Sequence, residues 1–255
     1  MVRYKVILIY DGTDFFGFQR QSVESHARTI QGEVEHTLRK IGWDGQKLLA
    51  AGRTDAGVHA SGQVVAFDLE WKHSEDKLLA ALNYYLPTDI AAKSVLTVDS
   101  DFHPRFDAES RIYQYRVIFH SVRDPLRERY AWRVWPEVDS NLIKEAAEIL
   151  PGSHDFKKFG KPMKPGGSTV RKVFNSQWIT QADGGIFEIE ANAFLYHMVR
   201  RIVRILIAIG HGKSNGDELN NELMGKSIEI VQGIAPPHGL SLVEVVYPLP
   251  INRDI

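Results

Sequence analysis

Strand-like and helix-like segments interleave along the 255 residues without the regular βαβαβ alternation that builds a doubly wound parallel sheet. That irregular mixing is the strongest restriction on the fold, and it points to an α+β protein with largely antiparallel sheet. Residues 3–10, RYKVILIY, read as a strand of β-branched and aromatic residues. A helix is expected at 29–42, with Thr29 as N-cap, Ile30, Val34, Leu38 and Ile41 along one face, and Gly42 at its end. Residues 48–52 and 63–69 read as strands, and Ser74 caps a helix carrying Leu78, Leu79, Leu82 and Tyr85 that stops near Pro87. Further along, 113–120 and 130–136 read as strands and 140–150 as a helix ended by Pro151-Gly152. A hairpin around Asp183-Gly184-Gly185 joins 170–180 to 186–191, a helix covers about 194–210, and 240–248 is a last strand. A boundary near residue 105 divides the chain into an N-terminal part, 1–105, and a C-terminal part, 106–255.

Composition removes several kinds of chemistry. A 44% hydrophobic content is enough for one large core or two modest ones. The absence of cysteine excludes disulfides, thiolate metal sites and thiol nucleophiles. No P-loop, dinucleotide fingerprint or metal-ligand spacing is present. The apolar run Val6–Tyr10 is too short for a signal core, and Arg200, Arg201 and Arg204 interrupt the greasy stretch at 202–209. A soluble, cytoplasmic protein with no membrane span is expected. The net charge of −1 hides segregation: 156–182 and 191–216 hold ten of the 31 Lys and Arg and no acid. Such patterning permits a positive face on a neutral molecule, although solvated loop and helix charges would produce it too.

Four segments carry candidate chemistry. In GRTDAGVHA at 52–60, Asp55 lies between Gly52 and Gly57, just after a buried strand, with Arg53 and His59 nearby. Glycines on both sides allow a tight turn and close approach of a ligand, but an aspartate there equally serves as a turn residue. On the helix near 194–210, Leu195, Met198, Val199, Ile202, Leu206 and Ile209 share one face, and His197, Arg200, Arg201 and Arg204 share the other. Three arginines without an acidic neighbour one turn away need phosphates or a buried carboxylate as partners. In RIYQYRV at 111–117, Tyr113 and Tyr115 point to one face of a strand, as packing residues or as a ring that stacks on a base. DGTDFFGFQRQ at 11–21 is a glycine-punctuated loop mixing aromatics with Arg20, and GKPMKPGGST at 160–169, with Lys161 and Lys164, is the expected mobile loop.

Taken in order, these strings resemble one family. GRTDAGVHA with the following SGQVVAF is similar to the catalytic loop of the tRNA pseudouridine synthase A family, and YDGTDFFGFQRQ to its N-terminal signature. LNYYLPTDI, FHPRFDAESRIYQYRV, GSHDFKKF, NAFLYHMVRRIV and APPHGLSLVEVVYP resemble further blocks, so the likeness runs from residue 4 to residue 248. Three positions depart from the pattern. Phe18 stands where the family commonly has Trp, Arg204 where it has Gly, and Ser241 where it has an aromatic residue.

The resemblance implies two ferredoxin-like halves sharing a mainly antiparallel sheet with a catalytic cleft between them. It implies a homodimer that isomerises uridine to pseudouridine at positions 38–40 of the tRNA anticodon arm, without metal or cofactor. The ribose–nitrogen bond breaks, the uracil turns, and a carbon–carbon bond replaces it. By the family's motif Asp55 is the carboxylate, ionised and acting as nucleophile or as base, and Arg200 is its ion-pair partner. Tyr113 stacks on the uracil and serves proton transfer, Leu240 lines the pocket, and Arg53 takes the place of the extruded base. Arg20, Arg201, Lys161 and Lys164 are expected to contact RNA, with strong salt dependence. Two other readings remain: a related synthase with another RNA target, and an RNA-binding or tRNA-folding protein with secondary catalysis.

Overall fold

A computed structural model of the chain describes residues 1–21, 27–45, 48–226 and 231–248. The fold is mixed α/β with mostly antiparallel sheet, divided into two units: Met1–Glu109 with the chain from Leu242 onward, and Ser110–Ser241.

The first unit runs β1 (Val2–Tyr10), α1 (Ile30–Lys40), β2 (Leu49–Ala50), β3 (His59–Leu69), α2 (Glu75–Tyr85) and β4 (Ile90–Val98). Strand β1 is antiparallel to β3 on one side and to β4 on the other, with Val6 opposite both Val65 and Val95. Its period-two pattern buries Tyr4, Val6, Leu8 and Tyr10. Strand β3 is instead buried from Val64 to Phe67 without alternation, as a strand covered on both faces must be. Helix α1 starts where Thr29 Oγ1 accepts from the Gly32 amide at 3.3 Å, and it buries Ile30, Val34 and Leu38. Helix α2 starts where Ser74 Oγ accepts from the Lys77 amide. Asn83 on α2 clamps Ala92 of β4, donating to its carbonyl at 2.9 Å and accepting from its amide at 2.8 Å.

The second unit holds β5 (Ser110–Phe119), β6 (Trp132–Val134), α3 (Ser140–Ala147), β7 (Gly152–Asp155), β8 (Val170–Gln181), β9 (Gly184–Ala191), α4 (Met198–Gly210) and α5 (Gly216–Leu223). Strand β9 lies between β5 and β8, antiparallel to both, and β7 is antiparallel to β8. Strand β6 is short and parallel to β5. A 3₁₀ turn at Pro237–Gly239 leads into β10 (Leu240–Val246), which neighbours β3. Among the described residues no helix is long and apolar enough to cross a membrane.

Two features of α4 differ from the sequence expectation. The helix begins at Met198 rather than 194, because His197 turns the chain at φ 69°, in the left-handed region where a residue with a side chain is uncommon. It is also buried nearly all round rather than split into an apolar and a cationic face. Val203, Ile205 and Ile207 lie off the expected stripe and are buried too, and Gly210 lets the helix approach Val138 and Ile143 closely.

Candidate active site

The loop carrying Asp55 lies between β2 and β3, and the segment that follows β1 fixes it through backbone contacts. The Phe18 amide donates to the Thr54 carbonyl at 3.0 Å, and the Gly57 amide donates to the Phe15 carbonyl at 3.3 Å. Asp55 closes its own turn, its carbonyl accepting from the Val58 amide at 3.2 Å. Two glycines make the approach possible. A Cβ on Gly12 would sit 2.0 Å from the Val58 carbonyl oxygen. Gly17, at φ +90°, would place a Cβ 2.9 Å from the Thr54 oxygen. The loop DGTDFFGF is thus the seat of the Asp55 turn, a role its sequence alone did not reveal.

Side chains below the loop complete the seat. The fully buried Tyr10 hydroxyl lies 2.8 Å from Thr54 Oγ1, and Gln63 Nε2 donates to the Gly52 carbonyl at 3.1 Å and to the Tyr10 oxygen at 3.5 Å. Burial pushes the Tyr10 hydroxyl up to about 12, partly offset by its bonds to Thr54 and Gln63, so it stays neutral at ordinary pH. Both residues flanking Arg53 are therefore tied to one buried polar cluster. The Gly12 amide donates to His59 Nδ1 at 3.0 Å. The same nitrogen lies 3.2 Å from Asp11 Oδ1. Asp55 itself is half-buried, and Arg53 is exposed. Partial burial first, and the positive Arg105 second, hold the Arg53 guanidinium below the ordinary arginine value.

In the second unit, Tyr113 on β5 is 9% exposed, and its ring meets Phe194 edge-on with centroids 4.9 Å apart. Its strand mate Tyr115 is wholly buried, donates its hydroxyl to the Pro236 carbonyl at 2.8 Å, and packs on Gly239 so tightly that a Cβ there would lie 2.6 Å from the ring. That contact sets the position of Leu240, the next residue, which is buried. Arg200 Nε donates to the Ala235 carbonyl at 2.8 Å, and the Ala235 amide returns a bond to the Arg200 carbonyl at 3.0 Å.

The other expected RNA contacts fall out differently. Arg201 is only 5% exposed; its Nη1 donates to the Val231 and Gly233 carbonyls, and its Nη2 lies 3.6 Å from the buried Glu222. It faces the protein interior and is not placed to meet a phosphate. Arg204, one of the departures from the family pattern, donates to the Gln232 carbonyl at 3.3 Å. Arg200, Arg201 and Arg204 together hold the segment 231–235 by its carbonyls. Arg20 is half exposed, bonded at 2.9 Å to the buried carboxylate of Glu35, which also accepts from Gln31. Lys161 and Lys164 are exposed on the 160–169 loop, whose start pairs with Tyr196 through two backbone bonds, Lys161 N to Tyr196 O at 3.3 Å and Tyr196 N to Lys161 O at 2.9 Å. Phe18 is buried beside the Asp55 loop, and Ser241 is half-buried at the start of β10.

Comparison with known proteins places these residues in a family context. The family model described as tRNA pseudouridine synthase matches residues 6–107 and 146–248. A protein named tRNA pseudouridine synthase A from Limosilactobacillus fermentum is 38% identical over 100% of this chain and 99% of its own length. Its namesake from Pseudothermotoga lettingae is 40% identical over 96% of this chain and 99% of its length, and that from Brevibacillus brevis 38% over 97% and 100%. Matching the model over most of its length and such relatives nearly end to end, the chain belongs to the tRNA pseudouridine synthase family.

Proposed function

We propose that this protein converts uridine to pseudouridine in tRNA, at positions 38–40 of the anticodon arm, with Asp55 as the catalytic carboxylate. The observation that carries the reading is the Asp55 turn, an acidic residue on a glycine-lined loop seated on buried polar groups, in a chain of this family. When the ribose–nitrogen bond breaks, the uracil leaves with its electron pair and the ribose becomes electron-poor. A carboxylate at the anomeric carbon stabilises that state, either by bonding to it or by removing the neighbouring ribose proton. The uracil then turns and its ring carbon bonds to the ribose as the carboxylate leaves the anomeric carbon or returns the ribose proton; that ring carbon's proton is lost, and the freed ring nitrogen takes one up. Tyr113 stacks on the ring and passes that proton, Arg200 is the counter-ion of Asp55, and Leu240 bounds the uracil. Arg53 fills the gap left by the flipped nucleotide. These roles follow the family's motif.

The same reading takes the two units as ferredoxin-like halves, and the enzyme as a cytoplasmic homodimer that uses no metal or organic cofactor. Lys161 and Lys164, exposed on an acid-free segment, hold backbone phosphates. Arg20 retains half its exposure for such a contact, and Arg201 supports the fold instead. Pseudouridine mapping of tRNA from cells with and without the protein tests reaction and position together. Loss of pseudouridine at 38–40 without the protein is expected; an unchanged map would reject the reading.

A further inference from the structure

Phe102–Asp107 forms a turn whose construction has no explanation in the chemistry above. Asp107 Oδ2 accepts from the His103 amide at 2.8 Å, and the His103 carbonyl accepts from the amides of Phe106 and Asp107, each at 3.1 Å. His103 Nδ1 accepts from the Arg105 amide at 3.2 Å. The turn is anchored from outside as well. Tyr247 donates its hydroxyl to the Pro104 carbonyl at 2.7 Å, and Arg3 donates to the Phe102 carbonyl at 3.0 Å. Yet this rigid turn leaves the Phe106 ring 75% exposed. The ring lies against the His103 imidazole, with centroids 4.3 Å apart, and the Arg105 guanidinium carbon is 5.7 Å from the Phe106 centroid.

A large exposed aromatic on a fixed backbone, flanked by a second ring and a guanidinium, is costly to hydrate and well suited to a planar, anionic ligand. Charge favours the same ligand. Partial burial first, and the charge of Arg105 second, disfavour the protonated form of Arg53, and a phosphate beside the two cations offsets the second of these. The acid within the turn, Asp107, is already bonded to the His103 amide. A single-stranded nucleotide offers both a π-face and a phosphate; an apolar protein partner would not answer the two arginines.

We propose that the His103–Asp107 turn is an RNA-binding element in its own right: Phe106 stacks on an unpaired base of the tRNA, and Arg105 takes the adjoining backbone phosphate, beside the nucleotide that Arg53 displaces. This rests on the tRNA reading above and adds a recognition residue set to it. The turn grips the strand next to the reacting uridine, so it contributes affinity and holds the flipped state.

The test uses the full-length protein and an anticodon-arm RNA with 2-aminopurine beside the target uridine. The unaltered protein should quench the probe. Phe106→Ala should abolish that quenching and raise Kd on the order of tenfold, and Phe106→Trp should restore both. Arg105→Ala should lower the slope of log Kd against log salt by about 1. Equal quenching and equal Kd for the protein and its Phe106→Ala variant, with circular dichroism showing both folded, would overturn the proposal. The proposed reaction fails separately, by absence of pseudouridine with the unaltered protein, and the quenching then still decides whether this turn binds RNA.

Discussion

The phenolic oxygen of Tyr10 lies 2.8 Å from Thr54 Oγ1, one residue before the candidate carboxylate, and both groups are buried. A residue at the end of β1 is therefore bonded to the residue that precedes Asp55 in its turn.

Tyr10→Phe removes that bond and the longer of two acceptors for Gln63, leaving Thr54 Oγ1 short of a partner in a buried setting. A loss of about 1–3 kcal/mol in stability is expected from urea unfolding, with a fall in kcat larger than any change in KM. Alkaline pH supplies a second readout. Since burial raises the folded hydroxyl from 10.0 to about 12, its stabilising contribution is complete below pH 10 and fades as pH climbs through 12. The Phe variant should show a shallower decline in that window; identical alkaline profiles would remove Tyr10 from the argument.

Asp55→Asn keeps the size and most of the hydrogen bonding of the side chain while removing its charge. It should abolish pseudouridine formation and leave tRNA affinity within a few-fold, as measured by filter binding. Residual turnover comparable to the parent would end the carboxylate mechanism.

Arg200→Ala should depress turnover far more than neutralising Lys161 or Lys164, because only Arg200 is assigned to the Asp55 charge. Arg200→Lys keeps a cation but cannot reproduce the Nε bond to Ala235 together with a second interaction, so it should recover little. Similar losses across all these variants would reject the ion-pair role.

Arg201→Met tests a different property. The arginine and Glu222 are each about 6% exposed in their side chains, so removing one leaves the other buried with its ion pair broken. A destabilisation of roughly 3–5 kcal/mol is expected, with partial recovery on adding Glu222→Gln. Below the variant's melting temperature the salt dependence of tRNA binding should not change. A reduced slope would return Arg201 to the set of phosphate contacts.

Much of the architecture was legible because it depends on local periodicity. The alternation of β1, the caps at Thr29 and Ser74 and the hairpin into β9 are written in neighbouring residues. The Asp55 loop was visible as a glycine-flanked acid, but its seat was not, since the match of Gly12 to Val58 depends on how two distant segments meet. The arginines of α4 show the same limit. Arg200 and Arg201 are adjacent, yet one stays half-buried and the other is enclosed, because the segment 231–235 passes over them. Their partners there are carbonyl oxygens, which every residue carries and no sequence pattern marks. Helix α5 and strands β4 and β7 escaped notice as well; the shorter of these offer little periodicity.

The paired bonds between Arg200 and Ala235 have one more consequence. An arginine on a solvent-facing helix surrenders up to about 2 kcal/mol of rotamer freedom when it settles against an anion. Here Nε is already tethered, so most of that disorder is lost during folding, before any RNA arrives. The guanidinium plane is held in a preset orientation, and the entropic penalty of ordering it is carried by the stability of the folded protein.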